Sequence, residues 1–470
     1  MARTPDPKPP APREPKRPAH LAHGRWLGDL EPLSAAEKAL VAACAKGEAW
    51  WPEGWDGKTR PDASTPANTI RADLIRFLLL SGDANHPVHE EGVMVSGAWI
   101  SDTLNLYQAR CPVRLSLLHC HLAVAPNLIA ATLPELGLIG CALPGLDADR
   151  LRVTGSVYLG EGFTASDEVR LLGAEIGGIL GCGEGNFLNT DGYALSADGL
   201  KVTGALFLRD AKVKGAISLT GARIGTLIDD AGCWQAGEHI LDGLQYDRII
   251  GPTDATTRIK WLQKQYSDEL TFDFAPQPWE QLIKVLREMG HPYEAGEVAI
   301  AKQDQMRAAG KITGRVRSVM HWLYGKIAGY GHRPIWTVGW MLVVWALCGL
   351  CFEIGREWGY FGPSNPLIHA SAAFETCGGA GEGKPFWTST GCPLPPEYTT
   401  MWPWVYSLDL LLPLVNLQQD IDWAPIVING NGEQLLGGYA LRALLWFEIL
   451  FGWAASLILV AVLGRLVDKD

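Results

Sequence analysis

Between about Gly92 and Asp230 one short pattern keeps returning: a β-branched residue, a small residue, then two leucine-like positions. Its clearest copies are Leu151-Arg-Val-Thr-Gly-Ser-Val-Tyr-Leu159, Leu200-Lys-Val-Thr-Gly-Ala-Leu-Phe-Leu208 and Ala211-Lys-Val-Lys-Gly-Ala-Ile-Ser-Leu219, the last two starting 11 residues apart. Weaker copies begin at Val93, Ala174 and Ala222. A unit this short cannot hold a helix pair, and alternation of period two with Gly at the corner reads as one strand plus one turn. Two units then make one coil of a parallel β-helix-like solenoid. Such a coil buries its inward Val, Ile and Leu only against the next coil, so stability is shared between neighbours and both ends need caps. Gly155, Gly204 and Gly215 are expected to supply the turns. A β-sandwich would need longer and more varied connections.

The caps are expected on either side. Ser34 with Glu37 three residues on is a capping-box pattern, followed by Leu40 and Val41 and closed by Gly47. A second helix should run from about Ile70 to Leu80 and stop at Gly82. Beyond Ile250 the period becomes helical, with Trp279, Leu282, Leu286 and Met289 on one stripe. A break at Gly290-His-Pro292 follows, then a charged helix through Gln305.

Further on, Ile335 to Phe352 holds no charge in 18 residues, and Ala443 to Gly464 only Glu448 in 22. With about 1.5 Å of rise per residue and a hydrocarbon core near 30 Å, both can span a bilayer. Trp336, Trp340, Trp345, Trp402, Trp404, Trp423, Trp446 and Trp453 crowd the same third of the chain, as rings at membrane-water interfaces do. Lys311, Arg315, Arg317, Lys326 and Arg333 precede the first stretch, and Arg465 and Lys469 follow the second. The segment between has few cations: Arg356, Lys384 and Arg442. The bias predicts both termini in the cytoplasm of a bacterial-type cell with the protein in its inner membrane. Within the outer segment, Met401 to Leu417 is apolar but interrupted by Pro403, Asp409 and Pro413, too short to span, and reads as a re-entrant or interfacial helix.

The expected organisation is a Pro-rich tail over 1–30, capping helices over 31–91, the solenoid over 92–250, a helical linker over 251–334 and a membrane domain over 335–470. The spans would cover about 335–354 and 443–464, with 355–440 outside and the short apolar helix at 401–417. The first 20 residues carry seven Pro and lack an apolar core, so they are no signal peptide. A net charge of -11 excludes a general nucleic-acid binder, which needs a basic face.

Several segments resemble bacterial pentapeptide-repeat-like membrane proteins often labelled membrane-associated oxidoreductases. These are Ile70-Arg-Ala-Asp-Leu-Ile-Arg-Phe-Leu-Leu-Leu80 leading to His89 and the repeats, Pro278-Trp-Glu-Gln-Leu-Ile-Lys-Val-Leu-Arg-Glu-Met-Gly-His291, Gly329-Tyr-Gly-His-Arg-Pro334, and Ser407-Leu-Asp-Leu-Leu-Leu-Pro-Leu-Val-Asn416. The likeness covers most of residues 30 to 468, with repeats that depart from a strict A-D/N-L-x-x register. It implies a membrane location more firmly than redox chemistry.

The chemistry-bearing residues give no clear catalytic set, and no cofactor is expected. Gly178-Ile-Leu-Gly-Cys-Gly-Glu-Gly185 lies within repeats with no helix after it, so it reads as solenoid turns and not a nucleotide loop. Gly329-Tyr-Gly331 reads as a juxtamembrane turn. His119 and His121 point to the same side of a strand, opposite to Cys120, and lack further ligands at a recognised metal spacing. Cys348-Gly-Leu-Cys351 is a possible redox pair, and Cys377 with Cys392 an expected disulfide of the outer segment. Cys44, Cys111, Cys120, Cys141, Cys182 and Cys233 read as reduced core residues. Asp409, Asn416, Asp420, Asp422 and Glu448 are the ion-facing candidates if several copies pool the short helix into a pore, and Glu448 has Arg442 as a possible partner. The leading expectation is a non-enzymatic membrane-anchored scaffold, sensor or interaction platform. It would be homo-oligomeric, with the bilayer and an unidentified protein at the solenoid as partners. An ion channel and a thiol-disulfide oxidoreductase are the alternatives.

Overall fold

A computed structural model describes residues 24–235, 238–265, 274–365, 368, 377, 394, 397–429 and 432–467. The chain forms two compact units that divide between Ala309 and Gly310, so the helices expected as a linker belong mostly to the first unit.

That first unit is a β-solenoid of about seven turns. Its strands pair in parallel, with partners 22 residues apart in Trp99↔His121, Thr164↔Asn186 and Arg223↔Gln245. Other coils are shorter or longer, as in Thr132↔Arg152 and Glu175↔Lys201, so a coil corresponds to about two of the short units without a fixed length. Each unit holds two short strands and not one. In a single coil Thr132–Leu133, Leu136–Ile139, Ala142–Leu143 and Leu146–Asp147 follow in succession, and each stacks into a different row of the neighbouring coils. Strands of two residues turn a corner every few positions, so each coil has four sides.

The corners explain where glycine is needed. Left-handed backbone recurs twice per coil, in one column at Gln108, Ala130, Arg150, Gly173, Gly199, Gly221 and Gly243 and in another at Gly97, His119, Gly140, Glu161, Glu184 and Asp210, so only some of these corners are glycine. Gly155, Gly204 and Gly215, the expected turn formers, are not among the left-handed residues. A Cβ on Gly215 would lie 2.0 Å from the Asn189 carbonyl oxygen of the coil below, and one on Gly204 would lie 2.6 Å from that of Gly178. These glycines let coils stack closely; they do not bend the chain.

Inside, the solenoid is filled by Val95, Leu117, Leu138, Val157, Leu180, Leu206, Leu227 and their like, all with little or no exposure. One end is capped by α1 (Ala35–Lys46) and α2 (Ala72–Leu79). The Ser34–Glu37 capping box forms, and Gly47 closes α1 in the left-handed region. Glu37 does a second job, receiving both Arg71 Nε at 2.7 Å and Arg71 Nη2 at 2.8 Å. Burial alone would raise its pKa, but the Arg71 guanidinium and the backbone N–H donors hold the carboxylate below its usual range.

The other end is covered by α3 (Ala255–Gln263), α4 (Gln277–Glu288) and α5 (Pro292–Ala308). Pro278, Trp279, Leu282 and Leu286 form the buried face of α4. Its glutamines finish the hydrogen-bond ladder: Gln277 accepts from Gly243 N–H and donates to the Leu244 carbonyl, and Gln281 donates to the Tyr246 carbonyl. An open strand edge is thereby closed, which solenoid ends require.

The second unit begins with α6 (Arg315–Ala328), a left-handed turn at Gly329, Tyr330 and Gly331, and α7 (Pro334–Glu357). It continues with α8 (Pro403–Leu411) and α9 (Leu436–Val467). Strand Phe361–Pro363 pairs with Trp423–Pro425 in antiparallel fashion between them. Helices α7 and α9 are long and apolar enough to cross a membrane, and only 28% and 22% of their most apolar windows are buried, unlike core helices of a soluble domain. They run antiparallel. Gly331, just before α7, adjoins Val462 near the end of α9, and Gly355 adjoins Leu441 near its start. At about 1.5 Å per residue α9 is about 48 Å long, more than the hydrocarbon core requires.

Candidate functional site

Helix α8 is wedged against both long helices. Small residues let it in: Gly349 of α7 faces the Trp404 ring, and a Cβ on Gly452 of α9 would lie 2.2 Å from the Leu411 carbonyl oxygen. Trp345 Nε1 donates to the Trp404 carbonyl at 3.0 Å, which fixes the depth of α8 along α7. Close approach through glycine is the way apolar helices pack when no hydrophobic force separates them from their surroundings.

At this three-helix junction sits Glu448, fully buried. Its Oε1 accepts from Ser407 Oγ at 2.5 Å, and that hydroxyl also lies 3.0 Å from the Trp345 carbonyl. Oε2 of Glu448 and the Tyr406 hydroxyl have no hydrogen-bond partner among the described residues. The buried Cys348 thiol faces the same carboxyl. Tyr406 itself is locked by ring contacts to Phe352 at 5.1 Å and Phe361 at 5.4 Å. Arg442 is engaged elsewhere, donating to the Pro425 carbonyl. The junction thus gathers a carboxyl, a hydroxyl, a phenol and a thiol in an apolar setting.

The remaining ion-facing candidates are distributed by the fold. Asp409 is buried and accepts three backbone N–H groups, from Leu417 at 2.7 Å, Gln419 at 2.8 Å and Asp420 at 3.1 Å. It folds the chain back after α8, a positioning task that consumes its oxygens. Asp422 accepts from Thr399 N–H and Oγ1, pinning the segment before α8. Asn416 turns the chain by accepting from Gln418 N–H. Asp420 is exposed at its rim; partial burial and the adjoining Asp409 carboxylate push its pKa above the usual range. Asp409, Asp422 and Asn416 thus close the loops around α8.

Of the possible redox pair, Cys348 points into the junction and Cys351 outward, both as free thiols. Cys377 is buried, and Cys392 lies outside the described residues, so their pairing stays an expectation. Cys44, Cys111, Cys120, Cys141, Cys182 and Cys233 are buried free thiols. Burial pushes Cys44, Cys182 and Cys233 up to about 12 and Cys111 up to about 11, which keeps them as unreactive thiols at neutral pH.

In the solenoid the chemistry-bearing residues serve architecture. His121 stacks on Trp99 with ring centroids 3.9 Å apart, and His119 occupies a left-handed corner. No group of three or more His, Cys, Asp or Glu among the described residues can hold a metal ion. The enclosed Asp229–Arg258 pair, bidentate at 2.7 and 2.8 Å with Trp234 Nε1 adding a third bond at 2.7 Å, ties α3 to the last coils. Sequence reasoning missed this pair; nothing in the local spacing of two residues 29 apart signals it.

The fold and the junction together define a β-solenoid protein carrying two helices of membrane-spanning length. Comparison with known proteins does not narrow this further: no family model matches the chain, and no curated protein or solved structure is detectably similar to it.

Proposed function

We propose that this protein is a membrane-anchored β-solenoid scaffold or sensor of the pentapeptide-repeat-like type, held in a bacterial inner membrane by α7 and α9. Its role is to present the solenoid to protein partners on the cytoplasmic side. The observation that carries the reading is the contrast in what is exposed. The solenoid turns regular polar rows outward over a solid aliphatic interior. The long helices instead expose Leu342, Val343, Leu347, Leu350, Leu450, Leu457 and Val460. Apolar side chains in that number on two antiparallel helices favour lipid as their surroundings, and the cation bias around them supports both termini in the cytoplasm. On this reading α8 is re-entrant, and residues 355–440 lie on the outer side, stapled by Cys377 and Cys392. Several copies assemble through the apolar helices.

Topology is tested by impermeant maleimide on intact cells. Glu397→Cys should label without permeabilisation and Glu175→Cys only after it, each against the parent chain. The reverse pattern would invert the topology, and loss of the protein from carbonate-washed membranes would remove the anchoring altogether. Assembly is tested by light scattering in detergent, where a monomer would count against the oligomer.

A further inference from the structure

Helix α6 is amphipathic in the wrong sense for a soluble protein. At about 100° per residue, Val316, Val319, Met320, Leu323 and Ile327 share an arc of about 100°. Val316, Val319, Met320 and Leu323 are 79%, 55%, 62% and 38% exposed. The opposite side is the one that packs: Gly325 closes on the Tyr330 ring, and His321 lies 4.6 Å from it between ring centroids. Small and polar residues thus face the protein, and the apolar stripe faces away.

The flanks of that stripe are basic. Arg315 and Lys326 border one side and Arg317 the other, all exposed and without an ion pair among the described residues. The helix also ends only a tight turn before α7, and Trp340 of α7 donates back to the Lys326 carbonyl at 3.3 Å. Arg333 lies over the Trp336 ring at 4.2 Å, and Trp322 is exposed on α6 itself. Tryptophans and cations cluster at one level, the beginning of α7.

From this geometry we infer that α6 lies in the plane of the membrane and docks on an anionic phospholipid leaflet, its apolar stripe among the upper acyl chains and Arg315, Arg317 and Lys326 on the headgroup phosphates. The inference rests on the membrane reading above. Lipid is favoured as the occupant because α6 ends one tight turn before α7, a helix of membrane-spanning length, and because unpaired cations on both margins complement an anionic surface. A peptide partner would need only one margin charged to match.

The experiment uses the full chain in nanodiscs of phosphatidylcholine alone or with phosphatidylglycerol. Benzoylphenylalanine replaces either Val319 or Leu347, the latter an exposed mid-helix position of α7, and adducts are read by mass spectrometry after irradiation. Val319 should capture lipid, with the yield rising roughly fivefold when phosphatidylglycerol is present. Arg315→Glu with Arg317→Glu should erase that rise while Leu347 capture stays constant. Lipid capture at Leu347 but not at Val319 would overturn the inference and leave the anchoring intact. So would cross-links from Val319 to a second copy, or equal yields in both lipids. No lipid at either position would instead fail the membrane reading itself.

Discussion

Asp229 in the solenoid unit and Glu448 in the helical unit are both fully enclosed carboxyl groups, and they are enclosed in opposite ways. Both oxygens of Asp229 meet the Arg258 guanidinium, and Trp234 adds a third donor. Glu448 accepts from Ser407 on Oε1 and has the Cys348 thiol against its carboxyl, while Oε2 has no partner among the described residues by ordinary hydrogen-bond geometry. The first carboxyl is an internal bolt whose whole bonding capacity is spent. The second is under-bonded at a junction of three helices. The contrast is one between two carboxyls and not between whole units, since Tyr246 Oη, Trp261 Nε1 and Gln265 Oε1 at the solenoid end are also buried without a partner among the described residues. Buried polar atoms without partners are few in folded proteins, so each asks for a reason.

The comparison predicts its largest effect at Arg258. Arg258→Met leaves Asp229 enclosed without its counter-charge and should cost about 3–5 kcal/mol. The loss should be read as hydrogen-exchange protection in strands Arg223–Ile228 and Gln245–Ile250, with α7 to α9 unchanged. Adding Asp229→Leu should restore a large part of it, because two matched apolar groups need no pairing. A full loss in the double variant would mean the pair's packing, and not its charge, closes the solenoid.

Next comes the close stacking of coils. A Cβ at position 215 meets a backbone oxygen that cannot move without breaking the ladder, so Gly215→Ala should cost about 1–3 kcal/mol by the same readout. Gly221→Ala, with open space around its Cβ but a left-handed φ of 65°, should cost about 1 kcal/mol. Equal losses would show that coil spacing tolerates a methyl group.

A smaller effect is expected at the first cap. Ser34→Ala removes half of the capping box, at about 1 kcal/mol. Glu37 adds a pH signature. Its folded pKa lies below its unfolded value, so the stabilisation is present above the ordinary carboxylate range and is lost as pH falls through the lowered pKa. Arg71→Met should flatten that acid limb of the stability curve, measured by thermal unfolding between pH 3 and pH 7. An unchanged limb would assign it to other carboxylates.

How much of this was legible differs between the units for a physical reason. The solenoid repeats a local pattern, so the 11-residue spacing and the capping signals at Ser34 and Glu37 carry the coil and its first cap directly. Four short strands per coil were not legible, because two-residue strands leave no alternation long enough to separate one side from the next. The role of Gly155, Gly204 and Gly215 was also hidden: a glycine kept for a neighbour's carbonyl and one kept for a left-handed corner look alike in sequence. In the helical unit, hydropathy found α7 and α9, and a short apolar helix was seen over Met401 to Leu417, of which Pro403–Leu411 is helical. Its place was not, since the wedge is set by Gly349, Gly452 and Trp345 acting across long stretches of chain. For the same reason Glu448 offers only a pore wall or nearby Arg442 as its expected surroundings, whereas its partner Ser407 is 41 residues away.

The finest test of the comparison is Glu448→Gln. The amide oxygen can still accept from Ser407, and the amide nitrogen takes the place of Oε2, where no protein donor is lost. The exchange should therefore change the stability of the helical unit by less than about 1 kcal/mol, read by unfolding in nanodiscs, whereas Asp229→Asn would break a bond to Arg258 and cost more. Ser407→Ala should cost about 1–3 kcal/mol, since it strips Oε1 of its hydroxyl donor. If Glu448→Gln instead equals or exceeds Ser407→Ala, then Oε2 carries a bond that the described residues do not supply. A second copy of the protein, or a ligand entering between α7, α8 and α9, would be the place to look for it. In that event the two enclosed carboxyls would differ in the source of their partners and not in the number of them.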